Sequence, residues 1–433
     1  MSELSAKLAA SLPSVSDFGP DWFKTLRATG AEQFRTHGLP TRKDEAWKYT
    51  GLSRLEKGGV QLASVSDDSP VSDAHPAPLV KAGLQINILD GRMFETVGNL
   101  SDGLNVQSLS DALSTGVDGL QDMLESLASS RPQIGSSDGF TALNTATLDH
   151  GLVIHVAAGK DAGRVLINWS TQAAATRLMF NTRVCVILEK NARLELLEQF
   201  ENPHANTNTS NIVIQAELGE HAKLQHVRFQ QESELATLIT RTEVSQQAGS
   251  EYTYFGFDLG GGLVRHDLRS SLLGQGSRAT INGAYLLDGD RHVDNHARVD
   301  HVSPGGSSDQ YCRGVIGGSG KAVFNTAVVV HPGADESEAK QSNGNILLSE
   351  RAVVNTKPEL EIYADEVVAS HGATVGQLDE QAVFYLRTRG LSDKAARQML
   401  TTAFCRSVSD RLSDPDLREL ISQRMMDVMP HAD

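Results

Sequence analysis

The chain has 433 residues, of which 39% are hydrophobic and 21% charged, and its formal net charge is -15. This composition is typical of a folded protein and excludes a disordered chain. The acidic balance disfavours a nucleic-acid partner, because phosphate binding needs concentrated Lys and Arg. The apolar runs are too short to span a membrane, and the N-terminus lacks the apolar stretch of a secretory signal. We therefore predict a cytoplasmic protein.

Residues 1–80 are predicted to form an N-terminal helical domain that ends in a linker. Trp22, Leu26 and Phe34 recur at roughly helical spacing, and Gly38 marks the end of that helix. A polar, proline-containing stretch before residue 80 has the composition of a linker.

Residues 81–143 are predicted to be a hairpin and a connecting segment. Asp90 and Gly91 form a turn dipeptide between two short runs that alternate between apolar and polar residues, which indicates a hairpin. Leu109–Ala128 has the apolar content of a short helical insertion, although two internal glycines weaken that pattern.

Residues 144–375 carry a weak repeat of short strands separated by tight polar turns. The positions that we align are Ala192, Ala222, Ser250, Ser277, Gly320 and Glu350, with intervals of 30, 28, 27, 43 and 30 residues. A period near 30 indicates stacked units that bury their apolar faces only against their neighbours. The predicted fold is therefore mainly β, with a parallel β-helix (a β-solenoid) as its core. A β-sandwich is the structural alternative.

Residues 376–433 return to a helical pattern and are predicted to form a C-terminal helical domain. Ser392 is a predicted N-cap, and Asp414 is a second N-cap followed by proline at the first helical position. The last helix carries an apolar stripe formed by Leu417, Leu420, Ile421 and Met425. This stripe is a candidate docking surface for a partner, and packing within a small helical bundle is the alternative.

Few residues carry recognisable chemistry. The GGSGKA stretch at residues 317–322 lacks the spacing and the Ser or Thr of a phosphate-binding loop, and it is predicted to be a solenoid corner. If RHVDNHARVDH is a strand, His292, Asp294 and His296 lie on one face and form a candidate metal site. A polar ladder on the solenoid surface is the alternative.

The three cysteines give no framework for a cluster or a disulfide. Cys185, Cys312 and Cys405 are far apart and include no CxxC pair. They cannot by themselves supply the four thiolates that a cluster usually takes. We predict that each is a small buried residue.

Three stretches resemble the SufB/SufD family of iron–sulfur cluster assembly proteins. They are GLPTRKDEAWKYTGLSRL at residues 38–55, ALNTATLDHGLVIHV at residues 142–156, and TKPELEIYADEV with SHGATVGQLDE and FYLRTRG within residues 340–390. The resemblance implies a right-handed parallel β-helix flanked by helical domains. It also implies a complex in which a SufB subunit pairs through the β-helices and the SufC ATPase docks on the C-terminal helices.

Within the family, the chain resembles the SufD type. In SufB-type chains, the motif that corresponds to QAVFYL ends in a cysteine that receives the nascent cluster. This chain has Leu386 at that position. SufD-type chains contribute the histidine of the SHGAT motif, here His371, to a cluster site at the SufB interface. Ala369 stands where some relatives carry cysteine, and Gly344 stands where they tend to carry arginine. The sequence leaves the effect of both departures open.

The function that follows is a non-catalytic scaffold subunit rather than an enzyme. The resemblance implies no stably bound cofactor in the isolated chain, and a transient iron–sulfur cluster or iron at His371 in the complex. A homodimer of the isolated chain and flavin binding remain open. The alternatives are a SufB-type scaffold that holds its own cluster and a β-helix polysaccharide lyase that uses Asp294, Arg298 and Asp300.

Overall fold

The computed structural model describes residues 2–13, 18–63, 76–129, 138–172, 176–202 and 207–430. Its described helices, apart from a short 3₁₀ helix at Glu45–Trp47, are α1 (Glu3–Ala10), α2 (Asp21–His37), α3 (Ser53–Gly58), α4 (Leu109–Thr115), α5 (Leu120–Ser129), α6 (Gly139–Ala146), α7 (Glu380–Thr388), α8 (Asp393–Ser409) and α9 (Pro415–Asp427). None of the helices in the described ranges is long and apolar enough to cross a bilayer.

Strands make up the middle of the chain. In chain order they are β1 (Gln61–Leu62), β2 (Leu84–Leu89), β3 (Arg92–Gly98), β4 (Leu104–Ser108), β5 (Gly151–Val156), β6 (Asp161–Ser170), β7 (Leu178–Leu188), β8 (Arg193–Glu201), β9 (Thr209–Leu218), β10 (Lys223–Gln231), β11 (Thr237–Gln246), β12 (Glu251–Asp258), β13 (Leu263–Leu272), β14 (Arg278–Leu287), β15 (His292–His301), β16 (Ser307–Ile316), β17 (Lys321–Val330), β18 (Glu338–Leu347), β19 (Val353–Ile362) and β20 (Val368–Gly376).

From β5 onward, successive strands alternate between two sheets, and each pairs in parallel with the strand two positions along the chain. The first sheet has the order β19-β17-β15-β13-β11-β9-β7-β5-β4, with β1 beside β7, and the second has the order β20-β18-β16-β14-β12-β10-β8-β6-β2-β3. Each turn of the chain therefore adds one strand to each sheet. The predicted parallel β-solenoid, with helices at both ends of the chain, is confirmed.

The inward-facing side chains of both sheets form one continuous apolar core. It extends from Leu84 in the first turns, through Val186 and Leu224, to Ala352 near the last turn. Alternation along each strand produces this arrangement, since every second side chain faces the interior that the two sheets enclose.

The interior also holds charged pairs that are sealed from solvent. His226 lies 2.7 Å from Glu198, and Arg228 lies 2.8 Å from Asp258. All four side chains are at most 2% exposed. Burial of such groups is tolerated because each has a close polar partner and further hydrogen bonds.

The equivalent positions in the structure differ from those aligned in the sequence at the last two steps. The first four aligned positions precede strands of the second sheet, and the residue in register after Ser277 is Gly306. Gly320 precedes a strand of the first sheet instead, and the residue in register with it in the next turn is Ala352, two residues after Glu350. The 43-residue interval therefore combines one full turn of 29 residues with a 14-residue crossing between sheets, and the period stays near 30.

The start of the solenoid is extended by antiparallel strands. The predicted hairpin is β2–β3, and its turn residues Asp90 and Gly91 have φ angles of 51° and 79°. Positive values at both positions are typical of the tight hairpin turn that this dipeptide favours. The hairpin adds to the second sheet beyond β6, and β4 adds to the first sheet beyond β5.

The C-terminal helices pack along the side of the solenoid. Both predicted N-caps are confirmed, since the Ser392 side chain accepts from the Ala395 amide and Asp414 caps α9 with proline after it. The α9 stripe is buried, with Ile421 in one apolar cluster with Phe257 of the second sheet. The stripe is therefore covered by α8 and the solenoid together, since the same cluster holds Cys405 and Val408 of α8, and Leu420 is only partly buried.

Candidate functional site

The last turn of the solenoid leaves both of its strands at a sheet edge. β19 ends the first sheet and β20 ends the second, so each pairs with a strand on one side only. At the other end of the solenoid, β4 and the β2–β3 hairpin extend the sheets. A row of unpaired backbone groups on an edge strand is a template for pairing with another chain.

Large apolar side chains lie exposed around these edges. Tyr363 is 59% exposed, Val368 64% and Val375 46%. Beneath them, Leu360 and Ala369 are only partly buried although they pack on the apolar core. Part of the apolar core therefore reaches the last turn of the solenoid, and an exposed apolar patch of this kind is typical of an interaction site.

His371 lies on the interior side of β20 at this open end. It is in register with Gln341, which is in register with Gln310 in the strand before. Both glutamines are buried inside the solenoid, and residues paired across parallel strands share a face. The His371 side chain is exposed, and no hydrogen bond or ion pair joins it to another described residue.

Buried polar side chains continue from His371 into the interior. The amide nitrogen of Gln341 donates to the Thr326 hydroxyl at 3.1 Å, and that hydroxyl contacts the Gln310 amide oxygen. Gln341 is 4% exposed, Thr326 2% and Gln310 1%. The open end thus combines a free imidazole with a line of amides and a hydroxyl.

The residues predicted as a metal site lie elsewhere, under the N-terminal helices. His292, Asp294 and His296 share one face of β15 as predicted, but Thr50 and Arg265 reach into the group. Asp294 accepts from the Thr50 hydroxyl at 2.5 Å and contacts Arg265, and His296 lies 2.8 Å from Asp294. The guanidinium takes the place that a cation would need, which disfavours metal binding. Within the described ranges, no group of three His, Cys, Asp or Glu side chains could hold a metal ion.

The cysteines are poor candidates for cluster ligands in this chain. Cys185, Cys312 and Cys405 are all buried, as predicted. Burial raises the pKa of each thiol to about 12. Since the thiolate is the form that binds metal, these side chains are inert at neutral pH.

The departures from the family pattern have local consequences. Leu386 is partly buried against the apolar cluster that joins α7 to α8. A side chain at Gly344 would meet Phe404 at 3.1 Å and Arg313 at 3.3 Å. Arg313 is in register with Gly344 and lies over the Tyr311 ring at 3.7 Å. A neighbouring arginine therefore occupies the space that an arginine at position 344 would need.

A second exposed apolar surface lies on α7 and α8. Phe384 is 68% exposed, Tyr385 56% and Met399 55%. Sequence reasoning assigned docking to the C-terminal helices as a whole and singled out the α9 stripe, so it did not identify these exposed side chains of α7 and α8. It also missed Gln341, although Gln341 precedes His371 by 30 residues, and that period could have found it.

The fold places the protein among the β-solenoids with flanking helices, and its last turn leaves two strand edges unpaired. Comparison with known families gives two matches, "SUF system FeS cluster assembly, SufBD core domain" over residues 170–404 and "SufBD protein N-terminal region" over residues 13–166. The chain belongs to the SufB/SufD family. It therefore has a role in iron–sulfur cluster assembly within the SUF system.

Individual relatives agree with this family. The chain is 26% identical to the iron–sulfur cluster assembly protein SufD of Escherichia coli, over 97% of this chain and 99% of that protein. It is 29% identical to a SufBD family protein of Synechocystis, over 89% and 86% of the two chains. A chloroplastic protein of Arabidopsis thaliana is 28% identical, over 96% and 86%.

Proposed function

We propose that this chain is a non-catalytic scaffold subunit of a cytoplasmic iron–sulfur cluster assembly complex. In that complex it pairs with a SufB-type subunit and docks a SufC-type ATPase. The observation that carries the proposal is the open last turn, where two unpaired strand edges, exposed apolar side chains and His371 lie together. A partner with its own unpaired edges would cover the strand edges and the exposed apolar side chains, and it would bring further iron ligands close to His371.

His371 is the proposed ligand for iron, which the complex assembles into a cluster and then passes on. A neutral imidazole nitrogen is a competent iron ligand near physiological pH. The three thiols of this chain are buried, which supports assigning the thiolates to the partner. The isolated chain is therefore expected to be colourless and to hold no stable cluster.

The two alternatives lack support at their key residues. A SufB-type scaffold with its own cluster needs accessible thiols. A polysaccharide lyase would need free acids and a free base, but Asp294 is bound by Arg265, and Asp300 pairs with Arg298 at 2.7 Å.

The test is His371→Ala in the co-expressed complex. Cluster content, measured as iron and acid-labile sulfide per complex, should fall to near background while subunit stoichiometry and thermal stability stay unchanged. The stability should hold because the exposed imidazole has no partner among the described residues. His37→Ala, which removes an exposed histidine on α2, is the control. Wild-type cluster content in His371→Ala would remove His371 from the site.

A further inference from the structure

The buried amide beneath His371 has an oxygen without a partner. The Gln341 nitrogen is satisfied by Thr326 at 3.1 Å and reaches the main-chain oxygen of Glu359 at 3.4 Å. Among the described residues, no group donates to the Gln341 Oε1 atom, which is buried. Buried side-chain oxygens with no donor are uncommon in folded proteins. The structure therefore offers a free acceptor directly below the open end.

The neighbours of Gln341 fix which end of its amide is free. The Thr326 hydroxyl has one proton, which it gives to the Gln310 oxygen, so it can only accept from Gln341. The main-chain oxygen of Glu359 also requires a donor. Both contacts place the NH₂ group on that side of the amide and leave Oε1 as the unpaired acceptor.

The donor in register with this acceptor is His371. Paired residues of adjacent parallel strands stand about 5 Å apart on one face. The imidazole is exposed and free of other described partners, so it can rotate toward Gln341. A histidine that binds metal through one ring nitrogen almost always donates the N–H of the other to an oxygen, which sets its tautomer and orientation.

We propose that Gln341 is a positioning residue for His371. Its Oε1 atom accepts the N–H of one ring nitrogen, and the other nitrogen then presents its lone pair to iron at the open end. Gln341 itself does not touch the iron. This inference rests on the proposed role of His371, and it adds the residue that orients the ligand.

The direct test observes the imidazole proton in the full-length chain labelled with ¹⁵N-histidine. An exposed imidazole N–H exchanges too quickly to be seen, whereas a hydrogen-bonded one gives a signal, and loss of that signal in His371→Ala assigns it. We expect the signal in the wild type and its loss in Gln341→Met, which keeps the volume but removes the acceptor. Gln341→Glu retains an acceptor and should retain the signal.

Gln246→Met is the matched control, because it makes the same change at a buried amide of the solenoid that contacts neither Thr326 nor Gln341. It should leave the imidazole signal unchanged. No signal in the wild type, or a signal that persists in Gln341→Met, overturns the proposal. If Gln341→Met does not fold, Gln341→Asn withdraws the acceptor by one carbon and serves in its place.

A second readout is the cluster content of the co-expressed complex. Loss of a residue that hydrogen-bonds a metal ligand typically lowers metal affinity or activity 10- to 100-fold. Gln341→Met should therefore lower the cluster content at least tenfold. Gln341→Glu, which keeps an acceptor, should retain most of the wild-type content. An equal fall in Gln246→Met would overturn the positioning role. If His371→Ala lowers the cluster content and Gln341→Met does not, the positioning role of Gln341 is wrong and the proposed role of His371 stands. If neither variant lowers the cluster content, the proposed role of His371 is wrong.

Discussion

At the residue scale, Asp294 links the N-terminal segment to the solenoid. It is fully buried, and Arg265, which contacts it, also donates to the Ala46 main-chain oxygen and lies over the Trp47 ring. Burial by itself would raise the pKa of Asp294, but the charge of Arg265, and then that of His296, holds the pKa well below its ordinary value. The carboxylate is therefore ionised throughout the physiological range.

We predict that Asp294→Asn destabilises the protein by about 3–5 kcal/mol, because it leaves the buried Arg265 charge without its counter-ion. Because the pKa of Asp294 is lower in the folded chain than in the unfolded chain, its carboxylate contributes fully to the free energy of unfolding above pH of about 4, the ordinary carboxyl value. This contribution is lost as the pH falls from there toward the pKa of the folded chain. Denaturant unfolding across pH 3–7 should show that the free energy of unfolding falls toward acid pH, and that this fall is smaller in the variant than in the wild type. Asp290→Asn, which removes an exposed pair with Arg54, should change little. Equal stability of the Asp294 variant and the wild type would contradict this account.

At the element scale, the C-terminal helices have two sets of apolar side chains, one buried and one exposed. Cys405, Ile421 and Met425 face the second sheet and share one cluster with Phe229 and Phe257. Removing residues 391–433 would expose that cluster to water, so this deletion cannot separate docking from folding. The surface left for a partner is the exposed one on α7 and α8.

We predict that Phe384→Ser weakens capture of the ATPase subunit at least tenfold without changing the melting temperature. Exposed aromatic residues carry much of the binding energy of an interface, and this one is 68% exposed. The measurement is a titration of the purified ATPase subunit against the chain. Tyr49→Ser is the control, since Tyr49 is 43% exposed on the N-terminal segment. Unchanged affinity in Phe384→Ser would place docking elsewhere.

At the scale of the whole molecule, the two ends of the solenoid are unequal. Antiparallel strands extend the first end, whereas β19 and β20 end the sheets at the other. If two solenoids meet through their last turns, each has used its one such end, so the pair closes and does not grow into a fibre. This geometry favours a pair, either with a related subunit or with a second copy of the chain.

We predict that Val375→Asp abolishes that pairing. The substitution places a charge on an exposed apolar position of β20 that would be buried against the partner's last turn. In co-expression with the SufB-type subunit, the tagged variant should retrieve less than about a tenth of the partner that the wild type retrieves. Leu235→Asp, at a 54% exposed position on the β10–β11 connection, should retrieve the normal amount. Full retrieval by Val375→Asp would show that the last turn is not the interface.

The solenoid, the hairpin, the helix caps and the family could all be predicted from the amino-acid sequence. Each depends on a local signal: a period near 30, an Asp-Gly turn, a capping side chain before a helix, or a contiguous motif. The candidate residue His371 also came from a contiguous motif, SHGAT, and its assignment as a ligand remains a prediction.

Three features became visible only in the folded chain: which apolar side chains are covered, which aligned positions share a sheet, and which polar groups are in contact. Asp294 meets Arg265 29 residues away and Thr50 across 244 residues, and no local pattern in the sequence specifies such contacts. The exposure of Phe384 and Val375 depends equally on where the last strand lies and what packs beside it. Burial and pairing are properties of the assembled surfaces, because each residue's neighbours are set by the stacking of distant segments.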